Sequence, residues 1–490
     1  MLLRDYAPTV GFGTSGVRAL VEDLTPDVVA AYARAFVQAL RSQDQSVAGC
    51  VVGWDLRPSS PAIAAAVCAG LEAEGVTPEI AGPCPTPALG LRALETGRPG
   101  VAVTGSHIPF DRNGVKFFTP RGEITKADER AIMRLKSHDL VIETVALTAA
   151  VERWMAAQAE IDTSTMTAYR ARFTTAFPAN AFSGMRIGVY QHSAVGRDFL
   201  TGLLADLGAE VFPLGRSDSF VPIDTEVVLP RDEAMAAAWA AQHRLDVVVS
   251  TDGDGDRPWI CDERGLFLRG DVLGVIAARR LSAERVATPV SSNTALEKCG
   301  AFKKTARTRI GSPFVIEGME LLARDATGCV VGYEANGGFL TQTAAQLNGS
   351  TLSPLPTRDS MLPILLALTV AKESGAPVSV LAQSLPPRRT ASGSIKGILT
   401  IDSTLFVSEL NLEPKFLAEF LAFTGSAPAS VNSVDGLRVT LESGDIVHMR
   451  PSGNAPEFRC YVESDTQLKA DALLSAALEA IGGRFTIHEF

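Results

Sequence analysis

The sequence predicts three related α/β domains followed by a smaller α+β C-terminal domain, arranged around a central cleft. Its 490 residues exceed the length over which one hydrophobic core keeps growing. Short apolar runs alternate with amphipathic stretches in three successive rounds, and each round ends in a strand followed by a polar loop. Because ligands bind beyond the carboxyl ends of strands in such sheets, we expect the three loops to meet in one cleft.

The periodicity of the apolar residues assigns each element in turn. The three rounds contain a strand at 47–53, a helix at 63–73, a strand at 100–104, a strand at 186–190, helices at 199–207 and 234–242, a strand at 246–250, a helix at 271–281, a strand at 286–290, a helix at 313–323 and a strand at 329–332. After the proline-rich stretch 385–389 the pattern changes to strands at 436–442, 445–450 and 457–463 and a helix at 467–481. The predicted domains are 1–158, 159–267, 268–386 and 387–490.

Composition narrows the class of protein. The formal net charge of −10 argues against nucleic acid or an anionic membrane as a partner. No apolar run reaches the ~20 residues needed to cross a bilayer, and the charged N-terminus carries no evident export signal, so we expect a cytoplasmic protein. Seven scattered cysteines without a C-x-x-C pair predict neither disulfides nor a zinc site.

The segment 104–117 presents Ser106, His107 and Lys116 together in a loop after a strand. A serine in such a loop acts as a nucleophile or phosphoryl carrier if cations and a metal stabilise the charge. The alternative is a turn in which Ser, Pro and Asn-Gly serve backbone geometry alone. Both interpretations fit the segment taken by itself.

The segment 251–257 alternates aspartate with glycine, which lets three carboxylates turn toward one point: Asp252, Asp254 and Asp256. Oxygen ligands at this density fit Mg²⁺ or Ca²⁺. An EF-hand is the alternative, but Arg257 occupies the position that requires glycine, and a buried strand precedes the loop. Arg257 either grips a phosphate beside the metal or simply neutralises the acidic loop.

Three further loops carry polar or charged residues between glycines. The loop 332–338 offers Glu334 and Asn336 to sugar hydroxyls, although an ordinary turn would look similar. The loop 450–459 combines two arginines with a serine and a glycine, which suits a dianionic phosphate. The loop 11–18 has one cation, Arg18, and its glycines equally suit a tight turn.

With these five segments in this order, the chain resembles the α-D-phosphohexomutase superfamily, and within it the phosphomannomutase/phosphoglucomutase branch, over essentially its whole length. The resemblance implies four domains around a cleft, a phosphoserine at Ser106, and Mg²⁺ held by Ser106, Asp252, Asp254 and Asp256. It also implies hexose phosphates as substrates and a hexose 1,6-bisphosphate as priming activator and intermediate. The implied reaction moves a phosphoryl group between O1 and O6 of mannose or glucose.

The resemblance also assigns roles to single residues. Arg257 would contact the phosphoserine, His107 would contact it or the substrate, and Lys116 and Arg18 would transfer protons or stabilise charge. Both cations have unperturbed pKa values far above neutrality, so Lys116 acts as a base only if its surroundings lower its pKa. The implied substrate-binding residues are Thr308, Gly311, Glu334, Asn336, Arg450, Ser452, Gly453, Asn454 and Arg459.

Three departures from the family pattern bear on substrate identity: Ile108, Gly338 and Ala455. Gly338 stands where some members have a histidine near the sugar, so no proton transfer is assigned there. Phosphoglucosamine mutase is the alternative enzyme, although Gly255 resembles the mannose/glucose branch more than the Asp-Gly-Asp-Ala-Asp of the glucosamine branch. A catalytically silent sugar-phosphate sensor is the alternative from another class. The sequence does not assign an oligomeric state.

Overall fold

A computed structural model describes residues 3–13, 16–135, 139–226, 228–452 and 456–485. The chain divides into a first unit, Met1–Val286 with Gly311–Ala382, and a second unit, Ala287–Ile310 with Gln383–Phe490. Each unit therefore combines two separate stretches of chain. Helices and strands are numbered below in chain order.

The first sheet of the first unit has seven strands in the order β1-β2-β6-β5-β3-β4, with β7 paired to β6. These strands are β1 (Gly11–Phe12), β2 (Val17–Leu20), β3 (Gly49–Trp54), β4 (Thr77–Pro83), β5 (Gly100–Val103), β6 (Arg112–Thr119) and β7 (Gly122–Glu123). β3 and β5 are parallel and buried along their whole length, as their continuous apolar sequences require. β6 runs antiparallel to β5, so the intervening loop lies at the carboxyl end of β5.

Six helices accompany this sheet: α1 (Leu3–Tyr6), α2 (Pro26–Arg41), α3 (Ser60–Ala73), α4 (Thr86–Thr96), α5 (Lys126–Met133) and α6 (Thr144–Ala157). α2 and α3 pack closely because Gly70 has no side chain. A Cβ atom there would lie 2.5 Å from the carbonyl oxygen of Ala30. The apolar residues of α2, α3 and the buried strands form one core cluster, and Leu89 and Ala93 of α4 belong to a second cluster with other residues of the sheet.

The second sheet has the order β11-β10-β8-β9. Its strands and helices are α7 (Ser164–Ala176), β8 (Arg186–His192), α8 (Arg197–Asp206), β9 (Glu210–Arg216), α9 (Pro230–His243), β10 (Val247–Thr251) and β11 (Pro258–Asp262). β8 is parallel to both β9 and β10, whereas β10 and β11 form an antiparallel hairpin in which Thr251 pairs with Pro258. The residues between them, 252–257, are therefore held as a tight connection.

The rest of the first unit contains three antiparallel strands that pair in the order β14-β15-β18, and a separate β16-β17 hairpin. The elements are α10 (Gly270–Arg280), α12 (Ser312–Ala323), β14 (Val330–Tyr333), β15 (Phe339–Thr341), β16 (Ala345–Leu347), β17 (Ser350–Leu352), β18 (Leu355–Asp359), α13 (Met361–Ser374) and α14 (Val378–Leu381). Gly274 of α10 faces the Tyr333 ring so closely that a Cβ atom would lie 2.3 Å from it.

The second unit contains a five-stranded antiparallel sheet in the order β19-β23-β22-β21-β20. Strand β12 (Arg285–Pro289) begins in the first unit and ends in the second. The other elements of the second unit are α11 (Ala295–Lys298), β13 (Lys304–Thr308), β19 (Arg389–Lys396), α15 (Thr400–Leu412), α16 (Pro414–Phe420), β20 (Pro428–Asn432), β21 (Leu437–Leu441), β22 (Ile446–Pro451), β23 (Glu457–Ser464) and α17 (Gln467–Gly482). Alternating burial along β21 fits a sheet with one face packed on helices. The predicted fold class, three α/β domains followed by a smaller α+β C-terminal domain, is confirmed, and the sheet of the C-terminal domain is antiparallel.

Two expectations from composition can be compared with the structure. All seven cysteines are free thiols, and six of them are buried. Among the described residues, no single helix has the length and apolarity to cross a membrane. One bent helix pair, Met361–Ser374 with Val378–Ser384, passes that test jointly at a bend of 95°.

Candidate active site

Ser106 lies in the loop between β5 and β6, and its side chain is fully buried. Its backbone has a φ of 52°, in the left-handed region that few residues other than glycine adopt. The Ser106 amide donates a hydrogen bond of 2.8 Å to the Thr104 hydroxyl. Backbone strain of this kind persists only where surrounding contacts hold it, as they do at functional sites.

The Arg57 guanidinium supplies many of those contacts. It is almost fully buried and donates hydrogen bonds of 2.5–3.0 Å to four carbonyl oxygens of the loop, those of Ser106, Ile108, Pro109 and Arg112. Asp55 lies 3.3 Å from Arg57 and accepts a hydrogen bond of 3.2 Å from the Gly105 amide. Neither Asp55 nor Arg57 was predicted as a site residue. The available signal was an Asp-x-Arg directly after the buried strand β3.

Asp252 connects the Ser106 loop to the hairpin connection 252–257. One of its carboxylate oxygens accepts a hydrogen bond of 2.7 Å from the Ser106 hydroxyl, and the other accepts from the amides of Asp256 and Arg257. The glycines of this connection have steric reasons to be there. A Cβ atom on Gly253 would lie 2.8 Å from the Ser106 carbonyl oxygen, and Gly255 has a φ of +72°.

Asp252, Asp254 and Asp256 form a buried carboxylate cluster whose ligand oxygens lie within 4.8 Å of one another. In the described part of the chain, one oxygen of Asp254 and one of Asp256 are buried without a hydrogen-bond partner. Buried carboxylate oxygens without donors fit a hard divalent cation such as Mg²⁺. The EF-hand alternative is wrong, because β10 and β11 flank these residues instead of two helices.

Lys116, on β6, contacts two of the three carboxylates. Its ammonium group lies 2.6 Å from an Asp254 oxygen and 2.7 Å from an Asp256 oxygen. Burial acts to lower the pKa of Lys116, but the charges of Asp254 and Asp256 outweigh it and raise that pKa. Lys116 is therefore protonated at neutral pH in this arrangement.

His107 lies between Ser106 and Arg257. Its Nδ1 atom accepts a hydrogen bond of 2.8 Å from Arg257 and lies 3.3 Å from the Ser106 hydroxyl oxygen. Burial and the positive charges of Arg257 and Arg18 lower the pKa of His107 to about 2. The imidazole is therefore neutral at physiological pH, with its proton on Nε2.

Arg18 extends from β2 toward the same cluster, and its charge acts on His107, Asp254 and Asp256. Burial, followed by repulsion from Arg257 and Arg358, lowers the pKa of Arg18 to about 10. It still carries its full charge at neutral pH. Several cations thus surround the carboxylate cluster, as a phosphate-binding site requires.

The loop 334–338 between β14 and β15 holds Glu334 and Asn336, both buried. The Asn336 side-chain carbonyl accepts a hydrogen bond of 2.9 Å from the Gly338 amide, so it helps to shape the turn. Glu334 accepts a hydrogen bond of 3.2 Å from Arg358, a buried residue that was not predicted. Arg358 also lies 2.8 Å from Asp256, which connects this loop to the carboxylate cluster.

The first unit thus brings together, by contact or by electrostatic interaction, all of the predicted catalytic and metal residues and one predicted substrate-binding residue, Glu334. The catalytic and metal residues are Arg18, Ser106, His107, Lys116, Asp252, Asp254, Asp256 and Arg257. Gly311 also belongs to the first unit. Its φ of 125° lies in the region that favours glycine, and it immediately precedes α12.

The remaining predicted residues belong to the second unit. Arg450 on β22 and Arg459 on β23 are direct cross-strand partners, an unfavourable placement for like charges unless anions compensate it. Asp435 accepts a hydrogen bond of 2.8 Å from Arg450, and Glu457 accepts one of 2.6 Å from Arg459. Ser452, which is buried, follows β22. Thr308 is the last residue of β13, and its hydroxyl bonds the carbonyl of the next residue.

Two predicted phosphate-loop residues, Gly453 and Asn454, lie outside the described residues, as does the departure at Ala455.

Comparison with protein-family models gives three matches in order along the chain. Residues 9–139 match phosphoglucomutase/phosphomannomutase, alpha/beta/alpha domain I. Residues 167–265 match domain II and residues 269–388 match domain III of the same family.

Three curated relatives cover nearly the whole chain. A phosphomannomutase from Salmonella muenchen is 40% identical over 96% of this chain and 95% of its own. A phosphomannomutase from Sinorhizobium fredii is 42% identical over 96% of this chain and 98% of its own. A phosphoglucosamine mutase from Magnetococcus marinus is 29% identical over 96% of this chain and 91% of its own.

A solved structure with a similar fold is that of a putative phosphomannomutase from Thermus thermophilus. It has a TM-score of 0.73 with 22% sequence identity, and the alignment covers 97% of this chain and 99% of that one. This likeness supports the fold assignment over the full length of the chain.

Proposed function

Because this chain belongs to the phosphoglucomutase/phosphomannomutase family, we propose that it interconverts the 1-phosphate and the 6-phosphate of a hexose, with mannose as the preferred sugar. The observation that carries the proposal is the hydrogen bond of 2.7 Å between the Ser106 hydroxyl and Asp252 within the carboxylate cluster. The preference for mannose rests on the higher identity to phosphomannomutases, 40% and 42%, than to a phosphoglucosamine mutase, 29%.

In the proposed reaction, phospho-Ser106 donates its phosphoryl group to the free hydroxyl of a hexose monophosphate. The bond from phosphorus to the sugar oxygen forms as the bond from phosphorus to Ser106 Oγ breaks. Over the whole step the proton of the sugar hydroxyl passes to Ser106 Oγ, which leaves as a free hydroxyl. The resulting hexose 1,6-bisphosphate turns over and returns its other phosphoryl group to Ser106. The enzyme therefore needs priming by a hexose 1,6-bisphosphate.

Asp252, Asp254, Asp256 and the Ser106 side chain would hold Mg²⁺, which when bound neutralises charge on the phosphoryl oxygens. One buried oxygen each of Asp254 and Asp256, without a hydrogen-bond donor among the described residues, supports this assignment. Arg257 is proposed to contact the phosphoserine. The proposal is supported by His107, whose Nδ1 atom lies within 3.3 Å of both the Arg257 guanidinium and the Ser106 hydroxyl.

Lys116 and Arg18 are proposed to stabilise charge as cations. Their protonated state at neutral pH supports this role over that of a general base. Neutral His107 is proposed to orient Arg257 through its Nδ1 atom and to contact the phosphoserine.

Substrate recognition is proposed for the other loops. Glu334 and Asn336 would bond sugar hydroxyls, and the cross-strand pair Arg450 and Arg459 would bind the phosphate that is not being transferred. Ser452, Gly453 and Asn454 belong to the same proposed phosphate loop. Thr308 and Gly311 complete the proposed substrate-binding set.

Domain bounds, a small-molecule partner and a cellular location are also proposed. The domains are proposed to span 1–158, 159–267, 268–386 and 387–490. A hexose phosphate is the proposed small-molecule partner, with no nucleic acid or membrane. A cytoplasmic location is also proposed.

A mutase assay tests the proposed function. The purified protein is incubated with Mg²⁺, a trace of glucose 1,6-bisphosphate and, separately, mannose 1-phosphate, glucose 1-phosphate and glucosamine 1-phosphate. We expect mannose 1-phosphate to give the highest kcat/KM, and we expect Ser106→Ala or chelation of Mg²⁺ to abolish turnover, because the phosphoryl carrier or its counter-charge is lost.

Each of the other outcomes would indicate a different function for this chain. Fastest turnover of glucosamine 1-phosphate would identify a phosphoglucosamine mutase. No turnover of any sugar by protein that mass spectrometry shows to be phosphorylated on Ser106 would contradict the mutase assignment and support a silent sugar-phosphate sensor.

A further inference from the structure

Arg358 lies near the end of β18, and its backbone is fixed by contacts on both sides. The hydroxyl of the preceding residue, Thr357, donates a hydrogen bond of 2.5 Å to Glu123. The carboxylate of the following residue, Asp359, accepts one of 2.7 Å from Tyr169. The direction of the Arg358 side chain is therefore set by the surrounding fold.

The Arg358 guanidinium joins two carboxylates that come from different loops. One of its nitrogens lies 2.8 Å from Asp256 in the carboxylate cluster, and another lies 3.2 Å from Glu334 in the loop between β14 and β15. Only 3% of the Arg358 surface is exposed. The position of this buried guanidinium between two buried carboxylates is strongly constrained. Moving it away from either carboxylate would leave a buried charge without its counter-charge.

Gly338 makes room for this side chain. A Cβ atom at Gly338 would lie 2.7 Å from both Cγ and Cδ of Arg358, so any other residue there would displace the arginine. The observed position of the Arg358 side chain therefore requires glycine at position 338. The departure at Gly338 therefore has a steric reason in this chain.

We propose that Arg358 is a positioning residue for the phosphoryl-transfer site, and that it couples sugar binding at Glu334 to cation binding at Asp256. This inference rests on the proposed mutase function. Arg358 acts through its two carboxylate partners: it orients Glu334, and its positive charge opposes a divalent cation at the carboxylate cluster.

The two effects of Arg358 have opposite signs, which separates this role from a purely structural one. Loss of the charge should strengthen cation binding, because a like charge beside Asp256 has been removed. The same loss should weaken sugar-phosphate binding, because Glu334 loses its partner and the site loses a cation. A residue that only stabilises the fold would weaken both.

The test uses the full chain carrying Ser106→Ala, so that binding is measured without turnover. Mn²⁺ serves as the cation probe, with its Kd measured by electron paramagnetic resonance, and mannose 1-phosphate binding is measured by calorimetry. For Arg358→Met we expect the Kd of Mn²⁺ to fall at least about threefold and the Kd of mannose 1-phosphate to rise about tenfold or more.

Two further variants keep the test decisive if Arg358→Met folds poorly. Arg358→Lys keeps the charge but not the planar fork, so Mn²⁺ binding should stay as in the parent while mannose 1-phosphate binding weakens. Gly338→Ala should weaken mannose 1-phosphate binding by displacing the guanidinium. Arg285→Met is the matched control, because Arg285 is also buried but contacts Leu322 and Asp325 instead of the site; it should change neither Kd.

Weaker or unchanged Mn²⁺ binding in Arg358→Met, with unchanged mannose 1-phosphate binding, would overturn the inference. Weaker binding of both Mn²⁺ and mannose 1-phosphate in every variant would overturn it too, because a residue with a purely structural role would have that effect. Absence of turnover by the wild-type chain would instead contradict the proposed function, while the two Kd values still decide the role of Arg358.

Discussion

A methyl group on Gly253 would lie 2.8 Å from the Ser106 carbonyl oxygen, a contact that real Cβ atoms essentially never make. We therefore expect Gly253→Ala to shift the Ser106 loop away from Asp252 and to lower kcat by about 10- to 100-fold, the typical cost of a displacement near 1 Å. Steady-state kinetics with mannose 1-phosphate would measure this.

Gly482→Ala is the control for that variant, because among the described residues a Cβ atom there meets only Ile395, at 3.6 Å. It should leave kcat unchanged. Equal kcat values for Gly253→Ala and the wild type would show that the spacing between the two loops does not limit the reaction.

The sequence predicted the residues of the site that stand in recognisable local patterns and missed those defined by distant contacts. Ser106 and the three aspartates are concentrated in short glycine-containing loops. Arg57 contacts Ser106 across 49 residues of chain, and Arg358 contacts Glu334 across 24. The Asp-x-Arg after β3 marks a polar strand end but not its contact with Ser106, because strand order decides which loops are neighbours.

His448, on β22, makes the second unit sensitive to acid. Its Nε2 atom bonds the Asp435 carbonyl at 2.6 Å, while its buried Nδ1 has no hydrogen-bond partner in the described part of the chain. Burial, only partly offset by that bond, lowers the pKa of His448 to about 4, below the ~6.5 of an unfolded chain. The unfolded state therefore binds a proton first as pH falls.

This difference predicts a loss of stability between pH 6.5 and pH 4, amounting to about 3 kcal/mol from His448. Its contribution is fully present above pH 6.5, because the imidazole is neutral in both states there. Hydrogen exchange of β21–β23 peptides at pH 7 and pH 5 would measure it. His448→Gln should reduce the pH dependence; an identical dependence in the variant would assign it to other groups.

Secondary-structure elements were predictable where their apolar pattern was regular. The predicted helix at 467–481 corresponds to α17, and the predicted strand at 457–463 corresponds to β23. β19 was missed because its sequence, RTASGSIK, is mostly small and polar. Among the described strands it pairs with β23 alone, at the edge of the sheet, so contacts with that strand stabilise it more than its own residues do.

At the scale of the whole molecule, cation binding should be linked to stability. A ligand that binds the folded state alone stabilises it by about 2.7 kcal/mol when present at 100 times its Kd. We therefore expect Mg²⁺ to raise the Tm by several degrees in scanning calorimetry, and a chelator to reverse this. Asp254→Asn should lose the shift, because it removes one carboxylate of the buried cluster.

Asp262→Asn is the matched control for that measurement. Asp262 is a buried aspartate of β11 that bonds Arg264 and nearby amides, outside the carboxylate cluster. It should lower the Tm but keep the shift with Mg²⁺. A shift that survives Asp254→Asn would place the stabilising cation elsewhere.

The discontinuity of the second unit has a consequence for synthesis on the ribosome. Residues 287–310 contact the C-terminal stretch, for example where Thr294 bonds Glu463 and the Ile310 amide bonds Asp435. These contacts must wait until 311–382 and most of the C-terminal stretch have been translated. At ~5–20 residues per second, the wait for Glu463 after residue 310 is on the order of 10–30 s. During that time the segment lacks its native partners from the C-terminal stretch, so nascent chains should depend on chaperones most at this stage.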